Sequence, residues 1–290
     1  MAVAVRGTAT VREALSASID GLAAAGVEEA RLDAELLLGE AMGLGRAALV
    51  ADPDAGVPAG AARAFGGMVR RRLRREPVAY ILGRKGFRSI ELAVDGRVLI
   101  PRPETELLVE VAMERRPGRV LDVGTGSGAI ALAVADELPE CEVVATDTSP
   151  GALEVARANA ARLGLADRVR FVPGTLPENE HFDLVLANLP YVAGRDWPYL
   201  QPEVTQWEPP EALLAGPDGL DAYRALLTPE RGRASSRIAG RSSTTPAAIA
   251  VEVGEGQAAA VAELVRGAGF GAVEVRKDLA GIERVVVGEP

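Results

Sequence analysis

The chain has 290 residues and 48% hydrophobic content, enough for one large domain or two smaller ones, and it carries no apolar run of the length that crosses a bilayer. Its single cysteine, Cys141, excludes an intramolecular disulfide and a multi-cysteine metal site, and its single histidine, His181, argues against a zinc centre or a Ser-His-Asp triad. The formal charge of −9 opposes a nucleic-acid backbone on average, and Met1 to Thr10 lacks the features of a secretory leader, so a cytoplasmic protein is expected.

In chain order, residues 8–83 read as helical. Residues 11–25 place apolar side chains at near-helical spacing. Residues 28–42 set Leu32, Leu36 and Leu37 on one side, with Gly43 and Gly45 as the stop. A Pro- and Gly-rich loop over 52–60 leads to a third helix, 61–75, which Pro77 ends. Within it, 69–75 reads VRRRLRR, expected as a solvated basic face, with contact to RNA or an acidic partner as the alternative. Over 86–100 apolar and polar positions alternate about Asp95-Gly96, and the pattern predicts a β-hairpin joining two domains. Pro101-Arg102-Pro103 reads as a rigid turn. The helix opening at Glu104 presents Leu107, Leu108 and Val111.

From Arg119 strands and helices alternate: strands at 120–123, 142–146, 169–172 and 182–187, helices at 127–138 and 150–163. Strands at 248–253, 273–276 and 284–287 follow, with a helix at 257–268. This predicts an α/β, doubly wound, Rossmann-like sheet. Residues 228–246, rich in Arg, Ser and Thr, are expected to form a mobile loop or poorly ordered insertion. The expected division is a helical domain over 1–85, a β-hairpin linker over 86–103 and the α/β domain over 104–290.

Two motifs carry chemistry. The first is Asp122-Val123-Gly124-Thr125-Gly126-Ser127-Gly128, between a strand and a helix. Glycine lets backbone approach a ligand closely, and such turns lie at the sheet edge where α/β proteins bind ligands. The G-x-G-x-G spacing is not the G-x-G-x-x-G of a dinucleotide site, and the Gly-Lys-Ser/Thr of a Walker loop is absent. Asp122 would repel a pyrophosphate but suits the charged amino-acid end of S-adenosylmethionine, directly or through water. Asp147, ending the second strand, suits two ribose hydroxyls, with Thr148 or Ser149 capping the helix that starts at Pro150.

The second motif is Asn188-Leu189-Pro190-Tyr191, just after the fourth strand, which an ordinary Asn-x-Pro turn would also explain. It resembles the [NDS]-x-P-[YFW] motif of methyltransferases that modify planar amino groups. An amide nitrogen is a poor nucleophile because its lone pair is delocalised. Two acceptors at its hydrogens, the Asn188 side-chain oxygen and the Leu189 carbonyl, would hold it and favour lone-pair development. Pro190 would fix the backbone, and Tyr191 would offer a flat face. Against a sulfonium no strong base is needed, and positioning and fixed dipoles supply most of the help.

With these motifs in place, the chain resembles the peptide chain release factor glutamine methyltransferases over nearly its whole length. The likeness includes 31–37 (RLDAELL), 76–83 (EPVAYILG), 99–106 (LIPRPETE), Glu203-Val204, Glu208-Pro209, Tyr223-Arg224, Glu252-Val253-Gly254, Gln257 and 278–281 with Arg284. The resemblance implies a class I methyltransferase domain and a helical domain that helps recognise a release factor. It implies transfer to the glutamine of the factor's Gly-Gly-Gln tip, with Asn188 to Tyr191 holding that glutamine, and the glycine loop, Asp147 and Asn188 holding S-adenosylmethionine. It implies no membrane and no direct nucleic-acid partner. The chain departs from the family's usual pattern at Leu189, where proline is common, at 172–176 (VPGTL), where an acidic and an aromatic residue are frequent, and at 228–246. The alternatives are a divergent paralogue with another protein substrate, a glutamine methyltransferase acting on a ribosomal protein, an RNA or DNA amino-methyltransferase, and a non-catalytic S-adenosylmethionine-binding regulator.

Overall fold

The computed structural model describes residues 9–178, 180–227 and 248–290. The segment 228–246, expected as a mobile loop, lies outside the described residues. The chain divides into two compact units, Met1–Gly83 and Arg84–Pro290.

The first unit is helical: α1 (Val11–Ala24), α2 (Ala30–Met42), α3 (Arg46–Ala51), α4 (Ala59–Arg72) and α5 (Val78–Leu82). A capping box starts α1, with the Glu13 N–H donating to Thr10 Oγ1 at 3.2 Å and the Thr10 N–H to Glu13 Oε2 at 2.9 Å. Gly43 stops α2 in the left-handed region. The buried stripe of α2 is Ala34, Leu37 and Leu38: Leu37 and Leu38 pack with Val11, Leu49, Phe65 and Ile81, and Ala34 packs with Leu22 and Val27 in a second cluster. Leu32 and Leu36, expected on that face with Leu37, are only half-buried, because the i, i+3, i+4 set that meets the core is one step out of phase with them.

The basic run over 69–75 is not a uniform solvated face. The helix ends at Arg72, and Arg75 turns with φ 65°. Arg72 is buried, and its Nε donates to Asp33 at 2.7 Å. Arg71 donates to Glu76 at 2.8 Å and to the Ile81 carbonyl at 3.2 Å. Two of the arginines therefore fasten α4 to α2 and to the segment entering α5, because buried carboxylates need partners. Glu35 is a third such carboxylate: Arg46 and Arg31 hold it below the usual carboxylate range.

The second unit opens with a two-stranded hairpin, β1 (Arg84–Phe87) and β2 (Ile90–Ala93). Phe87 pairs with Ile90, so the turn is Arg88-Ser89, not Asp95-Gly96. The Arg88 N–H donates to Glu106 at 3.1 Å and its guanidinium to Glu137 at 2.8 Å, which holds a non-glycine residue at φ 48°. Asp95 instead forms an Asx turn, its Oδ1 accepting from the Arg97 N–H at 3.0 Å. Thus a sequence favourable for a hairpin turn serves an ordinary one.

A short 3-10 turn (Pro103–Thr105) leads into α6 (Glu106–Arg115). Then come β3 (Arg119–Val123), α7 (Ala129–Glu137), β4 (Glu142–Asp147), α8 (Pro150–Arg162), β5 (Val169–Pro173), β6 (Leu184–Ala187), α9 (Pro202–Trp207), α10 (Asp221–Leu227), β7 (Ala248–Glu252), α11 (Ala258–Gly267), β8 (Ala272–Lys277) and β9 (Glu283–Glu289). Seven strands form one sheet in the order β5-β4-β3-β6-β7-β9-β8. The first five in that order are parallel, and β9 is antiparallel to both its neighbours, β7 and β8. Strands β3, β6 and β7 are almost continuously buried, as a sheet covered on both faces requires. Helix α7 is buried all round from Ala129 to Ala135. The antiparallel end has a local cause. The connection from β8 to β9 is a short turn in which Asp278 Oδ1 accepts from the Ala280 and Ile282 N–H groups, and so short a link permits no parallel crossover. Among the described residues no helix is long and apolar enough to cross a membrane.

Arg72→Ala leaves the Asp33 carboxylate buried and short of its cation, so we expect a loss of about 3–5 kcal/mol. Arg70→Ala, at an exposed position of the same run, should stay within about 0.5 kcal/mol. Urea denaturation of both variants checks this.

Candidate functional site

Between β3 and β6 the strand order reverses direction of growth, and this is where open α/β sheets leave a crevice at the carboxyl edge. Val123 pairs with Thr146 on one side and Ala187 on the other. The residues that follow, Gly124, Asp147 and Asn188, therefore emerge side by side and line one cavity. Thr125, Gly126 and Ser127 of the glycine loop line it too, as do Leu189 and Pro190.

The loop geometry explains its glycines. The Gly124 and Thr125 N–H groups both donate to the Thr146 carbonyl at 2.9 Å, turning the chain over the end of β4. Gly126 has φ 55°, and a Cβ there would meet nothing within 4 Å, so the position opens to the cavity. Its N–H donates to Asp147 Oδ2 at 2.9 Å. Gly128, at φ 87°, is different: a Cβ would lie 2.8 Å from Leu132 Cδ1, so it permits close packing and does not line the cavity. Asp147 Oδ1 accepts from the Ser149 N–H at 2.8 Å. Ser149 caps α8, accepting from Ala152 at 3.2 Å. Each Asp147 oxygen, already aimed by one backbone donor, keeps a lone pair for a hydroxyl of a ligand.

Asp122, expected at the ligand's charged end, does not line the cavity. It is fully buried beneath the loop, where Oδ2 accepts from Thr125 Oγ1 at 2.6 Å and from the Ala131 N–H at 3.1 Å. Its other oxygen has no partner. Burial pushes its pKa up to about 7 against the opposing bond from Thr125. Its observed work is to tie the loop to the start of α7. Asn159 has a similar task that the sequence did not single out. Its Nδ2 donates to the carbonyls of Ser127 at 2.9 Å and Ala93 at 3.0 Å, and its Oδ1 accepts from the Ala93 N–H at 2.7 Å.

Asn188 stands where two cavities meet. It lines the one under the glycine loop and a second, smaller one with Tyr191, Arg102, Leu200, Val204 and Leu213. Its Nδ2 donates to Thr105 Oγ1 at 3.0 Å, while its Oδ1 is buried with no partner. Tyr191 faces the second cavity only. Burial raises its pKa to about 12, so it is a neutral ring and not a base. Its carbonyl accepts from Gln257 Nε2 at 2.9 Å, and Gln257 Oε1 accepts from the Gly254 N–H at 3.0 Å. Beyond Tyr191 the chain is pinned by the Val192 N–H to the Leu213 carbonyl at 2.8 Å. Arg102 is paired with the buried Glu208, which also accepts from the Ile100 N–H at 3.0 Å. His181 is exposed and outside both cavities, and Cys141 is a buried thiol whose pKa burial raises to about 11. No metal-ligand cluster occurs among the described residues.

Comparison with known proteins adds the following. Residues 13–83 match the family described as the PrmC N-terminal domain, and residues 103–202 that described as the methyltransferase small domain. The chain is 41% identical to a release factor glutamine methyltransferase from Geobacter sulfurreducens, covering 96% of each chain. It is 42% identical to one from Cereibacter sphaeroides, covering 94% of this chain and 96% of the relative. It is 43% identical to one from Xylella fastidiosa, covering 92% and 96%. Among solved structures it shares its fold with the hMettl16 catalytic domain in complex with a 3'UTR hairpin, with a TM-score of 0.54, 17% identity and coverage of 68% and 75%. It shares it also with a methyltransferase from Pyrococcus furiosus, with a TM-score of 0.51, 17% identity and coverage of 78% and 98%.

The raised pKa of Asp122 has a stability consequence. Between the ordinary carboxylate pKa and about 7 the folded state binds a proton that the unfolded chain does not, so stability falls as pH rises across that window. Asp122→Asn should flatten this slope. Denaturant midpoints taken at several pH values between about 4 and 7 test it, and an unchanged slope counts against the assignment.

Proposed function

The chain belongs to the release factor glutamine methyltransferase family, and from that premise we propose that it methylates the side-chain amide nitrogen of the glutamine in the Gly-Gly-Gln tip of a peptide chain release factor, in the cytoplasm. It is an S-adenosylmethionine-dependent enzyme with a class I methyltransferase domain. The cofactor supplies a methyl group on a positively charged sulfur, an electrophile that needs no metal or strong base at its side.

The donor set fits that cofactor. Asp147 offers oriented carboxylate oxygens to ribose hydroxyls, Gly126 opens the loop to close approach, and Gly174 and Thr175 wall the cavity beyond β5. Asp122 acts on the cofactor through the loop it braces.

The observation that carries the reading is the Asn188 carboxamide: its nitrogen donates to Thr105, its oxygen is buried and unpaired, and the residue lines both cavities. An unsatisfied buried acceptor costs roughly 1–3 kcal/mol, and a bound amide N–H relieves it. We assign Asn188 Oδ1 and the Leu189 carbonyl as the acceptors for the two amide hydrogens. The Tyr191 ring would form one face of the glutamine slot, and Pro190 stiffens the segment. Leu189 in place of the family's frequent proline keeps the carbonyl, and Gln257 supplies rigidity by holding the Tyr191 carbonyl. Two oriented acceptors raise electron density on nitrogen as it attacks, and the proton leaves afterward to water.

Incubation with a release factor and S-adenosylmethionine should add one methyl group to the Gly-Gly-Gln glutamine, read by mass spectrometry of that peptide; an unmodified peptide counts against the substrate. Asn188→Ala should lower kcat about 100-fold or more while cofactor affinity changes little, and retained turnover would remove Asn188 from its role. Asp147→Ala should weaken cofactor binding about tenfold or more by calorimetry, through lost charge-assisted hydrogen bonds.

A further inference from the structure

The cofactor cavity is walled by two stretches of chain that are distant in sequence: Gly124 to Ser127 of the glycine loop, and Arg97, Val98, Leu99 and Pro101 of the segment after β2. Both are irregular backbone, so no strand ladder or helix fixes the distance between them. We propose that Asn159 is a positioning residue for S-adenosylmethionine: from outside the cavity it ties both stretches to one helix and so sets the cavity's width. This rests on the reading of that cavity as the cofactor's.

Asn159 is fully buried on α8 and lines neither cavity. All four hydrogen-bonding positions of its carboxamide are used. Nδ2 donates to the Ser127 carbonyl at 2.9 Å and to the Ala93 carbonyl at 3.0 Å. Oδ1 accepts from the Ala93 N–H at 2.7 Å and from the Arg162 guanidinium at 3.4 Å. Ser127 is the last of the loop residues that line the cavity, and Ala93 is the last residue of β2, from which the other wall departs. In an antiparallel ladder one pair in two turns its N–H and C=O away from the partner strand. The Asn159 carboxamide meets both such groups of Ala93, as a further strand would.

The helix is built to serve both walls. Ala152, Ala156 and Asn159 recur at i, i+4 and i+7, so they share a face, and all three are buried. Ala152 lines the cavity, and a Cβ on Gly128 would lie 3.4 Å from the Ala156 Cβ, so the loop runs close along this face. The segment after β2 returns to the same helix nearer its N-terminus. There Arg97 donates to Glu154 at 3.1 Å, and a Cβ on Gly151 would lie 3.4 Å from the Arg97 Cδ. The Arg97–Glu154 pair is exposed and contributes little, whereas the bonds of Asn159 are shielded from water, so Asn159 is the tie that decides. The far end of the segment is held separately: the buried Glu208 accepts from the Ile100 N–H at 3.0 Å and pairs with Arg102. The second cavity, which Arg102 lines, therefore keeps that wall when Asn159 is lost.

The test compares the wild type with Asn159→Ala, Asn159→Asp and Arg72→Ala, the last a variant destabilised in the helical unit, at a temperature where each is folded. Calorimetry on the ligand-free proteins should show S-adenosylmethionine affinity lowered about tenfold or more in both Asn159 variants and changed less than about twofold in Arg72→Ala. With the cofactor saturating, kcat and KM for the release factor should stay within about threefold of the wild type. Hydrogen exchange without ligand should quicken about tenfold or more over 94–99 and 124–128 in Asn159→Ala, while the amides of β3, β4 and β6 keep their protection. Asn159→Asp keeps the side chain's shape and its bond from the Ala93 N–H, but as a carboxylate it donates nothing. It decides alone should the alanine variant fail to fold. Unchanged cofactor affinity in a folded Asn159 variant overturns the assignment. An equal loss in Arg72→Ala, or a uniform rise in exchange across the sheet, overturns it too, since either marks a structural role alone. A wild type that binds no S-adenosylmethionine overturns the reading of the cavity instead.

Discussion

The site depends on the register of three parallel strands. Val123 of β3 stands opposite Thr146 of β4 and Ala187 of β6, so the next residue of each chain segment arrives at the same height. Those residues are Gly124, Asp147, which accepts from the Gly126 N–H, and Asn188, which lines both cavities. A strand rises about 3.3 Å per residue, so a slip of two residues in either pair would carry Asp147 or Asn188 more than 6 Å along the strand axis. The buried apolar faces of β3 and β6 forbid smaller slips, because one residue would turn every side chain over. Packing energy spread over the whole sheet is thereby converted into placement of a few polar atoms.

Those polar atoms are costly where they sit. Asp122, Asn188 and Glu252 each keep an oxygen that is buried and unpaired, and burial raises the pKa of both carboxyls to about 7. A fold optimised only for stability would fill these positions with apolar groups. Their siting shows the division of labour. Asp122 secures the glycine loop from beneath, Glu252 ends a fully buried strand, and only Asn188 of the three lines the cavities. Elsewhere, several buried carboxylates are paired with arginines: Asp33 with Arg72, Glu35 with Arg31 and Arg46, and Glu208 with Arg102. Among the three, the unpaired oxygen of Asn188 belongs to a residue that lines the cavities, where a ligand can meet it.

Much of this was legible as a linear pattern. The apolar runs of β3, β4 and β6 and the strand-turn-helix with three glycines announce a ligand-binding α/β edge, and Asn188-Leu189-Pro190-Tyr191 announces an amide-directed site. The hairpin was legible, but its turn was not: Asp95-Gly96 has the stronger local preference, yet Arg88-Ser89 closes it because Glu106 and Glu137, distant in sequence, hold Arg88. The arginine run over 69–75 looked solvated for the same reason, since its partner Asp33 lies on another helix. Glu252 did leave a trace, a lone charge ending an otherwise apolar strand. Thr105 and Asn159 left none, because a small polar residue near a helix has many ordinary uses.

The sequence by itself determined the strands of the main sheet, the class of fold and the position of the two motifs at strand ends, because periodicity, glycine spacing and the Asn-x-Pro-aromatic pattern are local and short-ranged. It did not determine that Asp122 lies buried under the loop, nor that β9 runs against the other strands of its sheet. It also left open which end of the Asn188 amide faces inward. Each of these is settled by hydrogen bonds between residues far apart in the chain, and such bonds exist only once the sheet has brought its strand ends together.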